Sequence, residues 1–211
     1  MTEPVRLYLV RHGQARAADG SYGHDTPLSP LGLRQAEAVA EGFAGVSLAA
    51  VYASPMRRAR ETAEPLARSI GLEVQLDDRL AEFEFAGWDP EEEVQAGDWA
   101  WRPEDTGTPG GETLQAFAQR VADACDDIVT PHEGEAIAVV SHSGAGDAIL
   151  RWAMGIPAAS PWFHEFDLPN AAIVELLVWP RGRHPEGPPR YTAIRYAPRL
   201  DHLPESLRSD T

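Results

Sequence analysis

The chain has 211 residues, and its 18 Lys and Arg against 33 Asp and Glu give a formal net charge of −15. This length suits a single α/β or all-β domain, which would bury about 70% of the surface that the unfolded chain exposes. The negative charge, with no basic patch in the sequence, excludes a nucleic-acid partner, and the single cysteine, Cys125, excludes an internal disulfide framework and any multi-cysteine metal site.

The first residues predict a cytoplasmic protein. Glu3 and Pro4 stand where a signal peptide would carry basic residues followed by a long apolar run. No stretch of the sequence approaches the roughly 18 consecutive apolar residues of a membrane-spanning helix, so we expect no membrane partner. A chain with one cysteine also suits a reducing compartment. None of these features indicates the oligomeric state.

Six short apolar or β-branched segments predict strands. In chain order they are Val5–Val10, Leu48–Ala53, Glu73–Leu76, Ala136–Ser141, Ala171–Val178 and Tyr191–Tyr196. Longer stretches of helical period separate them, which is the alternation expected of a sheet whose strands are joined by helical crossovers. The pattern therefore predicts an α/β fold.

Four segments between these strands predict helices. They are Leu31–Phe43, Met56–Ile70, Thr113–Val129 and Gly144–Met154. Ser29 and Pro30 provide a capping side chain and a proline at the first helical position of the first helix. Gly71 should end the second helix, and Pro65 should kink or break it.

Residues 85–111 lack clear periodicity and are interpreted as a long loop on the substrate side. Their tryptophans, Trp88, Trp99 and Trp101, either anchor this loop in the core or form a wall of a ligand pocket. Because the sequence contains no internal repeat and no low-complexity linker, residues 1–211 are expected to form one domain with this loop as an insertion.

Charged and polar side chains follow four of the predicted strands. Arg11-His12-Gly13 follows the first strand, Ser54–Arg60 with three arginines follows the second, Glu82 follows the third, and Ser141–Gly144 ends the fourth. The carboxyl ends of parallel strands face the ligand crevice of an α/β sheet. We therefore expect two histidines, several arginines and one carboxylate at one edge of the sheet.

This ordered series resembles the histidine phosphatase superfamily, in its phosphoglycerate mutase-like phosphatase branch. The matching segments are RHG at Arg11–Gly13, PLSPLG-x-x-QA at Pro27–Ala36, SP-x-x-RA-x-x-TA at Ser54–Ala63, L-x-E at Leu80–Glu82, GGE-T at Gly110–Thr113, VSHSG at Val140–Gly144 and HLP at His202–Pro204. There are two departures: the family's FG-x-W-EG reads FAGWDP at Phe85–Pro90, and SHGG reads SHSG. The resemblance implies a single α/β domain with a mostly parallel central sheet and helices on both faces.

The residue types at the predicted edge also indicate a chemistry by themselves. A phosphate ester is anionic, and the guanidinium groups of Arg11 and Arg58 can neutralise it and match its oxygens. A neutral His12 can attack phosphorus directly and form a phosphohistidine. His142, at a helix start, would help to hold the equatorial oxygens. Glu82 would protonate the leaving oxygen and then accept a proton from water.

Two of these assignments have close competitors in the sequence. Arg57 and Arg60 flank Arg58 on the same predicted helix, where clustered arginines usually face solvent and pair with acids. The serine of SP-x-x-RA stands four residues before Arg58 and favours that arginine. Glu84 competes with Glu82, and only the L-x-E pattern separates the two carboxylates.

Two further residues are assigned to the phosphate site. Gln14 follows RHG and is either a phosphate ligand or a structural amide, and Ser143 follows the second site histidine. The other histidines, His24, His132, His164, His184 and His202, are expected to be structural or superficial. Metal binding by His12 and His142 would call for several carboxylates beside them, and the sequence provides one, Glu82. We expect no metal and no cofactor.

These features predict a phosphomonoester hydrolase that acts on a small phosphate ester through a phosphohistidine. A phosphoglycerate mutase is one alternative, but it must hold a second anionic group, and residues 77–105 carry eleven acids against two bases. A pseudo-phosphatase that binds a phosphorylated ligand without turnover is the other alternative. It would be expected to lack His12 or Glu82, and both are present.

Overall fold

A computed structural model of the chain describes residues 3–17, 23, 25–84, 102–162, 166–180 and 190–209, with only the backbone at 196–198. The strands are β1 Val5–Arg11, β2 Ala50–Ala53, β3 Val74–Leu76, β4 Ala136–Ser141, β5 Ile173–Trp179 and β6 Tyr191–Arg199. The α-helices are α1 Pro30–Gly42, α2 Arg57–Ile70, α3 Leu114–Val129 and α4 Ser143–Ala153. Single 3₁₀ turns lie at Asp78–Leu80, Thr130–His132 and Glu205–Leu207.

The six strands form one sheet in the order β3-β2-β4-β1-β5-β6. β1 pairs with β4, and β2 pairs with both β3 and β4, in parallel. β5 runs antiparallel to β1 and to β6. The predicted mostly parallel sheet is confirmed. The carboxyl ends of β1, β2, β3 and β4 therefore lie along the same edge.

Helices cover both faces of the sheet, as predicted. Val5, Leu7 and Leu9 of β1 pack into a core shared with α3 and α4. Tyr8 and Val10 point the other way, into a core shared with α1 and α2. Successive side chains of a strand point to opposite faces, so a strand covered on both sides is apolar along its length. This explains why β1 is apolar without interruption from Leu7 to Val10.

The predicted helix ends agree with the structure, and of the kink or break expected at Pro65, the break is wrong. Ser29 accepts a hydrogen bond from the N–H of Gly32 and so caps α1. Gly71 ends α2 in a left-handed conformation, with φ of 73°. Pro65 lies inside α2, which continues through it to Ile70. The buried face of α2 packs against the sheet and α1, and we attribute the intact helix to this packing, which outweighs the hydrogen bond that proline removes.

Part of the predicted loop 85–111 can be described. Residues 102–111 form turns and a single bridge. Residues 85–101, which include all three tryptophans of that segment, lie outside the described residues, as do His24, His164 and His184. No helix in the described ranges has the length and apolar character needed to cross a bilayer.

The loop after β1 packs against the start of α1 through two glycines. A Cβ on Gly32 would lie 2.0 Å from the carbonyl oxygen of Gln14. A Cβ on Gly13 would lie 2.7 Å from the carbonyl oxygen of Gly32. Both distances are too short for real atoms, so the two backbones can approach this closely only because neither residue has a side chain.

We predict that Gly32→Ala destabilises the protein. In a solvent-exposed helix this change would stabilise by about 0.5–1 kcal/mol, because alanine is the better helix former. Here the added methyl group would clash with the backbone of Gln14. Overpacking should therefore turn the gain into a loss and lower the free energy of unfolding by about 1–3 kcal/mol. Urea unfolding measures the difference, with Leu33→Ala at the adjacent exposed position as a control of near-zero effect. A gain in stability for Gly32→Ala would contradict the close approach of the two backbones described above.

Candidate active site

The predicted site residues meet at the carboxyl edge of the sheet. Arg11 ends β1 and His12 follows it, Arg58 lies in the first turn of α2, and His142 stands between β4 and α4. The rings of His12 and His142 lie 5.1 Å apart, centroid to centroid. Nε of Arg58 lies 3.2 Å from Nε2 of His12. The parallel strands thus bring together side chains from three distant parts of the sequence.

His12 is buried, and its own backbone neighbour fixes its tautomer. Nδ1 lies 2.7 Å from the carbonyl oxygen of Gly13. Since a carbonyl oxygen only accepts, Nδ1 carries the proton and Nε2 keeps its lone pair. Burial lowers the pKa of His12 well below its usual 6.5, and the positive charges of Arg58 and Arg11 lower it further. His12 is therefore neutral at pH 7, and the lone pair on its Nε2 accepts a hydrogen bond from Nε–H of Arg58.

The structure distinguishes Arg58 from a neighbouring arginine. Arg58 is 3% exposed, and besides His12 it contacts the carbonyl oxygen of Gly23 and the sulfur of Met56. Arg57 is exposed and pairs with Glu61 at 2.7 Å. A buried guanidinium beside a neutral histidine is suited to receive an anion, whereas an exposed ion pair is not.

Arg11 and His142 complete the polar wall around His12. Arg11 donates through Nη1 to the carbonyl oxygen of Leu168. His142 is fully buried, and its Nε2 lies 2.7 Å from Oγ of Ser54. Oγ of Ser54 also accepts the N–H of Met56 at 3.2 Å. The position of the His142 ring is thus fixed by a serine from the loop after β2.

Glu82 reaches this edge from the 3₁₀ turn after β3, and its carboxylate lies on the start of α4. Oε2 accepts the N–H of Gly144, and Oε1 accepts the N–H of Ala145, both at 2.9 Å. Oε1 also accepts the N–H of Phe83 at 3.0 Å. Burial raises the pKa of Glu82 above its usual value, although these N–H groups and the charge of Arg58 oppose the shift. A carboxyl group with a raised pKa suits general acid chemistry.

The competing carboxylate, Glu84, has a different environment. Glu84 lies two positions beyond Glu82 and is exposed to solvent. Its backbone carbonyl oxygen packs against Gly107, where a Cβ would lie 2.0 Å away. The geometry therefore favours Glu82 as the carboxylate held at the edge of the sheet.

The two remaining predicted phosphate ligands are placed differently from the rest. Gln14 accepts a hydrogen bond from the Ser29 hydroxyl through Oε1 at 2.7 Å, and its backbone N–H donates to Oε1 of Gln35 at 2.7 Å. These bonds hold Gln14 against α1 and use its side-chain oxygen and its backbone N–H. Only the side-chain amide nitrogen of Gln14 could therefore donate to an anion. Ser143 is the first residue of α4, where the helix N–H groups favour negative charge.

Several residues that build the site were not singled out from the sequence. The buried amide of Gln35 bonds Gln14 on one side and, through Nε2, the carbonyl oxygen of Leu207 at 2.7 Å. The hydroxyl of Thr62 accepts the N–H of Gly13 and donates to the carbonyl oxygen of Arg58. Ser54, Gln35 and Thr62 all stand in the matched motifs, but a motif does not say what its residues contact.

A cavity of about 210 Å³ opens beside Glu82. Its described lining includes Asp78, Glu82, Glu84, Glu112 and Arg120. Arg120 is the cation among these, and it pairs with Glu112 through two bonds of 2.7 and 2.9 Å. The side of the site next to Glu82 is therefore rich in carboxylates.

Two of the histidines expected to be structural can be described. His132 lies 3.0 Å from the hydroxyl of Tyr52 and 2.7 Å from a carboxylate oxygen of Glu135. His202 donates through Nε2 to the carbonyl oxygen of Ala171 at 3.0 Å. Both contacts join neighbouring segments of the fold, in line with a structural role.

Comparison with known proteins identifies relatives of the chain. A family model of the histidine phosphatase superfamily (branch 1) matches residues 7–186. A bifunctional protein of Mycobacterium tuberculosis is 33% identical over 183 residues, which cover 82% of this chain and 50% of that protein. The adenosylcobalamin/alpha-ribazole phosphatase of Escherichia coli is 32% identical over 174 residues, which cover 77% of this chain and 86% of that enzyme.

The chain is also similar to a solved phosphatase structure. A mycobacterial glucosyl-3-phosphoglycerate phosphatase matches with a TM-score of 0.64 and 28% identity, covering 83% of this chain and 91% of that one. The chain spans about half the length of the mycobacterial curated relatives it matches. The family model extends from β1 to beyond β5 and so includes every predicted site residue. The chain belongs to the histidine phosphatase superfamily.

Proposed function

We propose that the protein is a phosphomonoester hydrolase that acts on a small phosphorylated metabolite through a phosphohistidine at His12. The observation that carries this proposal is the buried, neutral His12, whose unprotonated Nε2 lies 3.2 Å from the guanidinium of Arg58. The names of two relatives, an alpha-ribazole phosphatase and a glucosyl-3-phosphoglycerate phosphatase, support small phosphate esters as the substrate class. We further propose a cytoplasmic location, in keeping with a single, buried cysteine, Cys125.

In the first step, the lone pair on Nε2 of His12 attacks phosphorus and forms the N–P bond. The bond from phosphorus to the ester oxygen breaks, and its electron pair goes to the leaving oxygen, which takes the proton of Glu82. Arg58 and Arg11 neutralise the phosphoryl oxygens as His12 approaches. His142, whose ring lies beside that of His12, stabilises the charge on the same oxygens.

In the second step, water attacks the phosphorus of the phosphohistidine and gives a proton to the carboxylate of Glu82. The N–P bond breaks, and its electron pair returns to Nε2 of His12. Inorganic phosphate then leaves, with Glu82 protonated and His12 neutral again. The same carboxyl group thus serves as acid and as base in the two halves of the cycle.

Hydrolysis is favoured over a mutase reaction by the charge beside Glu82. A phosphoglycerate mutase must retain a substrate that carries a second anionic group and reorient it. The cavity next to Glu82 offers the carboxylates of Asp78 and Glu84, and its described cation, Arg120, is engaged by Glu112. A site of this charge favours release of the leaving alcohol and attack by water.

The proposed function predicts hydrolysis of p-nitrophenyl phosphate that persists in EDTA, because the nucleophile and the cations are side chains. His12→Ala should abolish turnover, and rapid quenching of the native enzyme without acid should trap phosphate on His12. A phosphoramidate is labile in acid and stable in base. Activity lost in EDTA and restored by a divalent ion, or a trapped label that survives acid but not alkali, would refute the mechanism.

The buried position of Arg58 predicts a large effect of Arg58→Ala. Losing a desolvated donor to a developing anion should lower kcat/KM by about 10²–10³-fold, or about 3–4 kcal/mol, by analogy with oxyanion-hole donors. Arg57→Ala is the matched control, since its exposed ion pair is worth about 0–1 kcal/mol. Steady-state kinetics on one ester compare the two variants, with Arg60→Ala alongside. Equal losses at the three positions would exclude the assignment of Arg58.

The role of Glu82 predicts an effect that depends on the leaving group. Glu82→Gln keeps the shape of the side chain but cannot transfer a proton. An alkyl phosphate needs that proton, so its burst rate should fall by about 10²–10⁴-fold, whereas a nitrophenolate leaves unaided and its burst should fall much less. Pre-steady-state bursts isolate the first step, because Glu82 also acts in the second. An equal fall for both esters would mean that another residue, Glu84 first among them, is the acid.

A further inference from the structure

The backbone that carries Glu82 belongs to no helix or strand. Residues 81–84 follow the 3₁₀ turn Asp78–Leu80 as irregular chain. Irregular buried backbone must find hydrogen-bond partners outside the regular ladders. The carbonyl oxygen of Leu80 accepts the hydroxyl of Ser141, at the end of β4, at 2.8 Å. The next partners come from α3.

Arg120 of α3 directs three of its five N–H groups at this segment and the other two at Glu112. Nη1 donates to the carbonyl oxygens of Arg79 and Ala81, both at 2.8 Å. Nη2 lies 3.5 Å from the carbonyl oxygen of Glu82 and 2.9 Å from Glu112, and Nε lies 2.7 Å from the other oxygen of Glu112. A guanidinium has five donors in a planar fork. Each of them therefore has an acceptor, and three of these acceptors are carbonyls in the four residues that end at Glu82.

An aromatic contact joins the same segment to α3. Phe83 is buried, and its ring lies 5.2 Å from that of Phe117, one turn before Arg120 on α3. The guanidinium of Arg120 lies over the Phe117 ring at 4.8 Å. The hydrogen bonds of Arg120 and the buried ring of Phe83 thus both attach the backbone around Glu82 to α3. Its main chain is fixed by α3, and its carboxylate by the N–H groups of α4.

We propose that Arg120 is a positioning residue for proton transfer by Glu82. The inference rests on the proposed role of Glu82 as the general acid. Proton transfer requires the carboxyl group to lie within hydrogen-bond distance of the leaving oxygen, and a displacement of about 1 Å can cost 10²-fold in rate. Arg120 sets this distance through the backbone and does not contact the substrate phosphate itself.

The contacts require arginine and not simply a positive charge. Lysine keeps the charge but has three donors on one nitrogen, which cannot span Glu112 and three carbonyls at once. Arg120→Lys should therefore release the segment while preserving the electrostatics of the cavity. Glu112→Gln is a milder change, because the amide oxygen can still accept one of the two bonds from Arg120.

A matched control lies on the same face of the sheet. Arg190 donates to Asp126 at 2.6 Å and to the carbonyl oxygen of Trp152 at 2.8 Å, and its guanidinium lies 4.2 Å from the Trp152 ring. Its side chain is 23% exposed, against 24% for Arg120. Arg190→Lys should thus perturb stability in a similar way without affecting the backbone at Glu82.

The test measures burst rates for an alkyl phosphate, such as glycerol 2-phosphate, and for p-nitrophenyl phosphate. Arg120→Lys should slow the alkyl ester by about 10-fold to 100-fold and the nitrophenyl ester by less than about 3-fold, because only the first needs the proton. Glu112→Gln should shift the ratio of the two rates in the same direction by a smaller factor. The ratio does not depend on the fraction of enzyme that is folded, and Arg190→Lys should leave it unchanged.

Glu82→Gln, measured in parallel, separates this inference from the proposed function. If Glu82→Gln changes the ratio but Arg120→Lys and Glu112→Gln lower both rates equally, the positioning role is wrong and the assignment of Glu82 stands. The positioning role is also wrong if Arg190→Lys shifts the ratio as much as Arg120→Lys. If Glu82→Gln leaves the ratio unchanged, both the assignment and the inference fail.

Discussion

The neutral state of His12 is the constraint on which the rest of the site depends. A buried histidine beside two guanidinium groups cannot hold a proton at neutral pH without a large electrostatic cost. The lone pair on Nε2 is therefore present before substrate arrives, and no base is required to create it. The same guanidiniums that keep His12 neutral lower the energy of an anionic ligand.

The remaining groups occupy the positions that the sheet allows them. β1, β2 and β4 end close together, so their following residues reach one point directly. β3 is at the end of the sheet, two strands from β4 and three from β1, and the residues after it must cross that distance. An irregular segment makes the crossing, and side chains of α3 and β4 supply the hydrogen bonds that it lacks. Glu82, the proposed acid, is therefore the component of the site with the least support from regular structure and the most from individual side chains.

Much of this arrangement could be predicted from sequence, and the exceptions have a common cause. Apolar periodicity locates the strands and helices within a few residues, and the rule for parallel strands brings His12, Arg58 and His142 to one edge. Of the kink or break expected at Pro65, the break is wrong because local propensity yields to packing when a helix is buried on one side. The roles of Gln35 and Arg120 could not be foreseen, since both depend on contacts with carbonyl oxygens far away in the chain. Periodicity carries no information about such contacts.

The contacts of Gln35 join the start of the chain to its last residues, which affects when the site can form during synthesis. The loop that follows β1 is fixed by Gln35, and Gln35 is fixed in turn by the carbonyl oxygen of Leu207, 172 residues later. The carbonyl oxygen of His12 likewise accepts the N–H of Ala171. His12, the proposed nucleophile, therefore leaves the ribosome well before its surroundings, which are complete only when the chain has emerged to about residue 207. A nascent chain thus contains the side chains of the site early, whereas the contact that fixes Gln35 can form only when synthesis has passed Leu207.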